Sequence, residues 1–575
     1  MTAYSVSVSR SLRCPLIVGF VVCLLALAGC TSGSDSETAK AESPKPGGTL
    51  YVMVESADFP HIDPQRTHYT PAMNVVRLFA RTLTTYRPAP GSKGSELVPD
   101  LATDLGRPTD GNTVWRFTLK PGVKWQDGKP VTCADVKYGV ERSFAEEIDG
   151  GASIYPRTYL RGGDDYAGPY VMGNNNGLGL ESVKCLDDRT VQFELSRPVG
   201  DFSYVVALPV FAPARADKDT REQYDRQPFA NGPYQVHQYG EDDNGRMRLV
   251  LKRNPHWDQR TDPARKQYPE TIEVRFGEDA NRVTQKMIAD EGEYRYAVAL
   301  DAKVPPRFVQ EVINDPKLAA RTISGTTSGV RYLAINTRVV DELACRQALT
   351  YAFDKRAFRT VLGGSPYGDY AATILPPTMK AHADFDLYNT KAKPQGDLER
   401  ARLLASGADC PEELTLGYAG TPVNEQAADV IVESYQKLGI RVVKQSYPAE
   451  EFYDAVSVPS EQPDLVLTGW VPDFPNGSGT IPVLFDGRSI SASGNRNYSL
   501  VNDEELNRLI DEANAEADLN RQYRLWGQLD HKIQEKALVV PILYDRALQM
   551  VGSRVRGGFL HTAYLGVDLS SLGVA

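Results

Sequence analysis

The chain has 575 residues, with 64 Lys+Arg against 74 Asp+Glu and a formal net charge of −10. That length exceeds what one hydrophobic core organises, so two or three domains are expected, and the acidic balance argues against nucleic acid, which needs a basic footprint. Hydrophobic content of 41% beside 24% charged residues fits a soluble globular chain, and no stretch beyond the first thirty residues is apolar enough to cross a bilayer.

Arg10 and Arg13 precede an apolar run at 16–27, and Leu27-Ala28-Gly29-Cys30 closes it. The order is a charged n-region, an h-region and a small-residue cleavage site, so 1–29 reads as a signal peptide. The run is broken by Gly19 and is shorter than the roughly 20 residues a span needs. The tetrad resembles the bacterial lipobox. That resemblance implies cleavage before Cys30, diacylglycerol on its sulfur, and a fatty acid such as palmitate on the new N-terminus. The protein would be moored at the outer face of the cytoplasmic membrane. An ordinary signal peptide with a chance Cys is the alternative. Two or three acyl chains hold far better than one, at about 0.8 kcal/mol per buried methylene. Loss of Arg10 and Arg13 with the leader takes the net charge to −12. Residues 31–46, TSGSDSETAKAESPKP, carry no large apolar side chain. With Cys30 they form a flexible tether that reaches about 20–25 Å as a coil.

Order is expected from Gly48, with a short buried strand at 49–54. Thr70-Pro71 reads as an N-cap and N1 pair. It opens a helix with Ala72, Val76, Phe79, Ala80 and Leu83 on one face. Residues 114–119 alternate as a strand. Thr132 with Asp135 approximates a capping box for a helix through Phe144. Residues 146–180, rich in Gly, Asn and Tyr, read as a long ordered loop. Residues 191–195 alternate again, and 236–251 form a hairpin around a polar turn. Residues 330–336 are a strand, and Cys345, Ala348, Leu349, Ala352 and Phe353 share a helix face. The clearest unit spans 414–468. A strand at 414–418, a helix with Ala428, Ile431, Val432, Tyr435 and Leu438 in register, Gly439 at its end, then strands at 440–445 and 464–468 give βαβ logic and parallel pairing. Two amphipathic helices follow, at 503–515 and through Trp526, Leu529 and Ile533.

Besides Cys30, cleavage leaves Cys133, Cys185, Cys345 and Cys410. An even number in an exported chain suggests two disulfides. Three pairings are possible. The local ones, Cys133 with Cys185 and Cys345 with Cys410, each fall within one expected domain. Four buried thiols are the alternative. There is no CxxC, and the seven His lack ligand spacing, so neither a metal site nor a cofactor is nominated. No GxSxG, HExxH or GxxxxGK[ST] occurs, so nothing nominates an enzyme.

Ten ordered segments carry a resemblance. They are IDPQRTHYTPAMNVVRLFARTL, ELVPDLATDL, WRFTLKPGVKWQDGKPVTCADVKYGVERSF, NGPYQV, LKRNPHW, RYLAINT, CRQALTYAFDK, YQKLGIRV, GWVPDF and VVPILYD. Their order and wording resemble the extracytoplasmic solute-binding proteins of the peptide and nickel ABC-importer class, over nearly the whole mature chain. The resemblance implies an α/β fold of the periplasmic-binding-protein type II kind. It has two lobes, an inserted third subdomain and a hinged cleft. Lobe I would take 47–72, 212–325 and 541–575, with the inserted subdomain at 73–211. Lobe II would be 326–540. The chain would cross between lobes near 325–330 and 539–541, and the cleft would close on ligand.

In that class the pattern Trp470-x-x-Asp473 matches the motif whose Asp holds a peptide's free α-amino group. Asp473 lies just beyond a strand end, where ligands of open α/β sheets bind; otherwise it caps a turn. Trp470 either stacks on ligand or packs in a core. His68, Tyr69 and Thr70 align with a cleft-lining loop. Phe452 and Tyr544 align with pocket aromatics, and Tyr155 or Tyr159 would reach the cleft from the inserted subdomain. Three departures stand out. Leu467 replaces a basic residue that anchors a ligand carboxylate in some relatives. Arg295 stands where an acidic residue is usual, and Phe474-Pro475-Asn476-Gly477 replaces Asp/Glu-Pro. The expected function is a monomeric receptor that captures short peptides for a membrane permease and its ATPase. A nickel chelate, an opine or an oligosaccharide is the alternative ligand. A scaffolding lipoprotein that has lost transport is the rival role.

Overall fold

The computed structural model describes residues 43–148, 150–171 and 179–575. The expected leader at 1–29, Cys30 and residues 31–42 of the tether lie outside the described residues. Backbone pairing is already present ahead of Gly48. Lys45 bridges to Val574, and the Gly47 N–H donates to the Tyr268 carbonyl at 2.8 Å. The partner strand comes from the far end of the chain, which no local pattern reveals.

A five-stranded sheet runs in the order Ala297–Ala299, Thr49–Met53, Thr271–Arg275, Met247–Arg253, Tyr234–Glu241. Thr49–Met53 pairs in parallel with both neighbours, and the hairpin strands pair antiparallel. The period of two divides its side chains. Leu50, Val52, Leu249, Leu251, Ile272 and Val274 enter one core. Met53, Ala297 and Ala299 enter another, under the helices Ala280–Ile288 and Pro306–Asn314.

A four-stranded antiparallel sheet, in the order Arg107–Thr109, Val114–Thr118, Thr190–Glu194, Val183–Cys185, organises the region between residues 73 and 211. Phe117, Phe193, Phe202 and Phe211 stack edge to face beneath the helix Cys133–Arg142. That helix starts as expected: Asp135 Oδ2 accepts from the Thr132 N–H at 2.8 Å, closing the capping box. The stretch expected as a loop at 146–180 also holds a short helix, Ile154–Tyr159.

The helix expected from Thr70 to Leu83 is shorter, Thr70–Val76, and Tyr69 rather than Thr70 is its N-cap. Competing partners end it. The Phe79 carbonyl accepts from Asn231 and Gly232 N–H groups at 3.0 and 2.9 Å, and the Arg81 N–H goes to Asn231 Oδ1 at 2.8 Å. Phe79 and Leu83 remain buried without helical geometry.

A six-stranded sheet forms the other half, in the order Gly368–Tyr370, Val539–Met550, Thr322–Ile335, Leu465–Trp470, Glu413–Ala419, Arg441–Tyr447. The βαβ reading holds. Glu413–Ala419 pairs in parallel with Arg441–Tyr447 and with Leu465–Trp470, and the helix Pro422–Gln436 crosses between them. Both faces are covered. Val330, Tyr332, Ala334 and Val466 face one core, whereas Leu333, Ile335, Leu465 and Leu467 face the other.

Two strands join the halves. Thr322–Ile335 and Val539–Met550 pair antiparallel along nearly their full length. Their register shifts between Thr326 and Val330 and again between Arg331 and Tyr332. On one side of the shift Leu548 and Met550 pack with the first half; on the other Tyr544 and Leu543 pack with the second. Such breaks loosen the ladder and let it bend.

The structure joins Cys133 to Cys185 and Cys345 to Cys410, so each bond staples one half. The loops enclose 52 and 65 residues. Replacing Cys133 and Cys185 together by Ser is expected to cost the inserted subdomain about 4 kcal/mol. Its urea midpoint, read from protease resistance, should fall while the six-stranded half is unchanged.

Candidate functional site

The strand Leu465–Trp470 lies inside its sheet, between Thr322–Ile335 and Glu413–Ala419, and its last residue, Trp470, pairs with Val330 beside the register shift. The loop after it is held at both ends. Trp470 Nε1 donates to the Gly479 carbonyl at 2.9 Å. At Gly477 an added Cβ would stand 2.3 Å from the Trp526 ring, so the loop lies flat on the helix Leu519–Glu535. Asp473 therefore projects from a braced loop at a strand end.

Asp473 enters a recess of the first half. Two small cavities, about 20 and 10 Å³, meet at its side chain. Each is on the scale of a single water. Met73, Leu208 and Pro209 line both; Tyr86 and Tyr564 line one, His68 and Tyr155 the other. The Tyr155 hydroxyl donates to the Asp473 carboxylate. Asp473 keeps surface open to water, yet the recess crowds it. Burial is the main cause that holds its carboxyl above the usual range, while the Tyr155 bond and the nearby His68 ring act the other way. Burial, then the Asp473 charge, raises the Tyr155 hydroxyl. Tyr86 is 4% exposed, and its hydroxyl has no hydrogen-bond partner among the described residues. An unpaired buried hydroxyl costs free energy until something pairs it.

The halves also touch beside this recess. Asn476 Nδ2 donates to Asp201 at 2.7 Å and to Gln522 at 2.8 Å, and the Ser478 hydroxyl donates to the same Asp201 carboxylate. Burial raises the Asp201 carboxyl, and these donors oppose it. Phe474 is 3% exposed and packs in the core of the inserted sheet, 6.0 Å from the Tyr204 ring. Tyr204 and Tyr523 hydroxyls meet at 2.8 Å, and Lys380 pairs with Glu96 at 2.6 Å. The departure Phe474-Pro475-Asn476 thus builds contact between the halves.

A third cavity of about 430 Å³ adjoins the same strand end. Arg331, Tyr453, Trp470, Val471, Arg496 and Asp545 are among its walls.

The structure brings some sequence candidates together and separates others. Asp473, Tyr155 and His68 share the recess, and Tyr159 lies within electrostatic reach of Asp473. Trp470 lines the larger cavity while bracing the loop. Tyr69 turns toward the first core, its hydroxyl 3.4 Å from Ser56 Oγ, and neither it nor Thr70 lines these cavities. Phe452 is 2% exposed in the second core; its neighbour Tyr453 lines the cavity instead. The alternation of a helical turn shifts the wall by one residue. Tyr544 is also core: its hydroxyl meets Thr373 Oγ1 at 2.6 Å. Arg295 stands 3.6 Å from Asp290 and lines none of the three cavities. Tyr86, Tyr564, Arg331 and Arg496 went unnoticed in the sequence because distant segments bring them here. Among the described residues no cluster of His, Cys, Asp and Glu is placed to hold a metal ion, and no helix is long and apolar enough to cross a membrane.

Comparison with known proteins adds the following. The family "Bacterial extracellular solute-binding proteins, family 5 Middle" matches residues 96–491. The dipeptide-binding protein of Escherichia coli (strain K12) is 24% identical over 486 residues, covering 80% of this chain and 84% of its own. The oligopeptide-binding protein OppA of Bacillus subtilis (strain 168) is 22% identical over 553 residues, covering 92% and 94%. Among solved structures, a clavulanic acid biosynthesis oligopeptide binding protein 2 aligns with a TM-score of 0.84 at 31% identity, covering 93% of this chain and 97% of that one. The Bacillus subtilis oligopeptide-binding protein AppA, solved with a nonapeptide, aligns at 0.63 and 19% identity, covering 93% and 100%.

The contact between the halves can be weakened at one residue. Phe474→Ala is expected to remove about 3–5 kcal/mol of buried packing. Small-angle scattering of the protein alone should then report a larger radius of gyration, with the melting of each half unchanged.

Proposed function

The chain belongs to the family 5 bacterial extracellular solute-binding proteins, and from that membership we propose that it captures short peptides in the interlobe cleft for an ABC importer. It is a binding protein rather than an enzyme. The observation that carries the peptide reading is Asp473, a crowded carboxylate set among Tyr155, Tyr86 and His68. A peptide's α-ammonium offers three donors. The Asp473 carboxylate accepts one or two, and the orphaned Tyr86 hydroxyl oxygen is free to accept another. Named relatives bind dipeptides and oligopeptides, which supports the same ligand class here.

In this reading the lobes are 47–72 with 212–325 and 541–575, carrying the inserted 73–211, and 326–540. Closure brings Asp473 against the inserted subdomain and exchanges water for a ligand. Energy for transport comes from a partner ATPase through a permease. The lipobox at Cys30 supports a receptor moored by lipid on the outer face of the membrane.

Two measurements test this. Asp473→Asn should weaken amine-bearing peptides by about 1.5–3 kcal/mol, the worth of a charge-assisted bond, and leave N-acetylated peptides unchanged in calorimetry. The pH dependence follows from the raised carboxyl. Ammonium pairing needs the ionised form, so affinity is full at neutral pH and declines on acidification. The decline sets in above the ordinary Asp value of about 3.9. Equal affinity in Asp473→Asn removes the residue from the site. Separately, Cys30→Ala should release the protein from membranes or leave it unprocessed in cell fractionation; firm retention of a trimmed chain rejects the lipid mooring.

A further inference from the structure

The loop that enters the short helix Phe202–Val205 of the inserted subdomain reaches across to the six-stranded half. It is braced on its own side first. The Val199 N–H donates to the Asn112 carbonyl at 3.2 Å, and the Val199 carbonyl accepts from Trp115 Nε1 at 3.0 Å. Trp115 is 3% exposed in the core of the inserted sheet. The next two residues, Gly200 and Asp201, are therefore presented on a fixed base.

What Gly200 meets is a helix end. The helix Glu504–Ala515, like any α-helix, leaves its last carbonyls without partners inside the helix. Here the partners come from the other half. The Gly200 N–H donates to the Asn514 carbonyl at 2.7 Å, and Asn112 Nδ2 donates to the Ala515 carbonyl at 2.6 Å. Donors at this end also offset the negative pole of the helix. Asp201 meanwhile accepts from Asn476 and Ser478. One braced loop thus grips two separate elements of the six-stranded half.

Gly200 is the tight point. An added Cβ would stand 2.0 Å from the Glu516 carbonyl oxygen and 2.4 Å from its carbon. Yet the φ of Gly200 lies outside the left-handed region, so its own backbone accepts any residue. Only the contact with the other half forbids a side chain there. All the partners are protein atoms. Asn112, Gly200, Asn514, Ala515 and Glu516 line neither the Asp473 recess nor the larger cavity beside Trp470. The contact is complete whether or not a peptide lies in the cleft. Because the loop is already ordered, little further freedom is lost when it docks.

We propose that this contact is a clasp: Gly200 and Asn112 hold the receptor shut between ligands, and a peptide enters only when the clasp opens. Both are positioning residues, which touch no ligand and set how often the cleft is accessible. A clasp that favours the shut form slows entry and, by the same free energy, retains what has entered.

Small-angle scattering of the unmodified, ligand-free protein is expected to match the shut arrangement and to stay unchanged when a random tripeptide pool is added. Gly200→Leu, whose side chain has no room against Glu516, should expand the ligand-free protein. Asn112→Gly removes the side-chain donor at a position with φ 67°, which glycine adopts freely, and should expand it in part. The second arm, stopped-flow tryptophan fluorescence with the tripeptide pool, rests on the peptide reading above. The observed rate of the unmodified protein should level off at the opening rate as peptide is raised. Both variants should lift that ceiling roughly tenfold, the effect of one or two exchanged hydrogen bonds, while weakening the equilibrium affinity. Faster entry with weaker retention is not what a damaged fold produces. An unmodified protein that is expanded alone and contracts on adding tripeptides overturns the clasp and leaves the peptide reading standing. A rate that rises linearly and is the same in both variants also overturns the clasp. A compact ligand-free protein that expands in the variants but binds no tripeptide keeps the clasp and overturns the peptide reading. Asn112→Gly keeps the test decisive where Gly200→Leu fails to fold.

Discussion

Thr322–Ile335 and Val539–Met550 form one antiparallel ladder that belongs to both halves of the molecule. A ladder this long would normally be stiff. Its register breaks at Thr326 to Val330, where side chains stop matching across the pair. Hydrogen bonds are lost locally while pairing on both sides persists, so bending concentrates there. The position of every cleft residue depends on this constraint. Arg331 and Asp545 sit directly beside the break, so the walls of the larger cavity move with it.

The second organising principle is the cost of drying charged groups. Crowding in the recess raises the Asp473 carboxyl, and among the described residues the Tyr155 hydroxyl and the nearby His68 ring act against that rise. Fully structural charges look different. Arg81 and Arg265 share Asp100 at 2.8 and 2.7 Å, and these buried ions hold its carboxyl well below the ordinary range. The contrast separates a carboxylate paired with two cations from one that has none beside it but His68, and perturbed groups of the second kind are enriched at functional sites.

Much of the architecture was legible in the chain. The βαβ unit, the capping box at Thr132 and the local disulfides follow from periodicity, spacing and loop length, which are properties of neighbours in sequence. The helix after Tyr69 was read too long, because Asn231 and Gly232, distant in the chain, claim the Phe79 carbonyl. Asp473 was singled out by its motif and its position after a strand, and Tyr155 and His68 by the resemblance, and these three share one recess; Tyr86 and Tyr564 were not singled out. Tyr86 and Tyr564 come from opposite ends of the chain, and nothing local distinguishes them from the other tyrosines. Phe452 and Tyr453 are adjacent aromatics, and only packing decides which of them turns inward.

The bridge between Lys45 and Val574 has a mechanical consequence. Both ends of the ordered chain are sewn into the core that holds Leu50 and Val52, on the same side of the bend. A pull on Lys45 or Val574 is borne first by that body. The six-stranded half feels it second-hand, through the two crossing strands and the contacts at Phe474, Asn476 and Lys380.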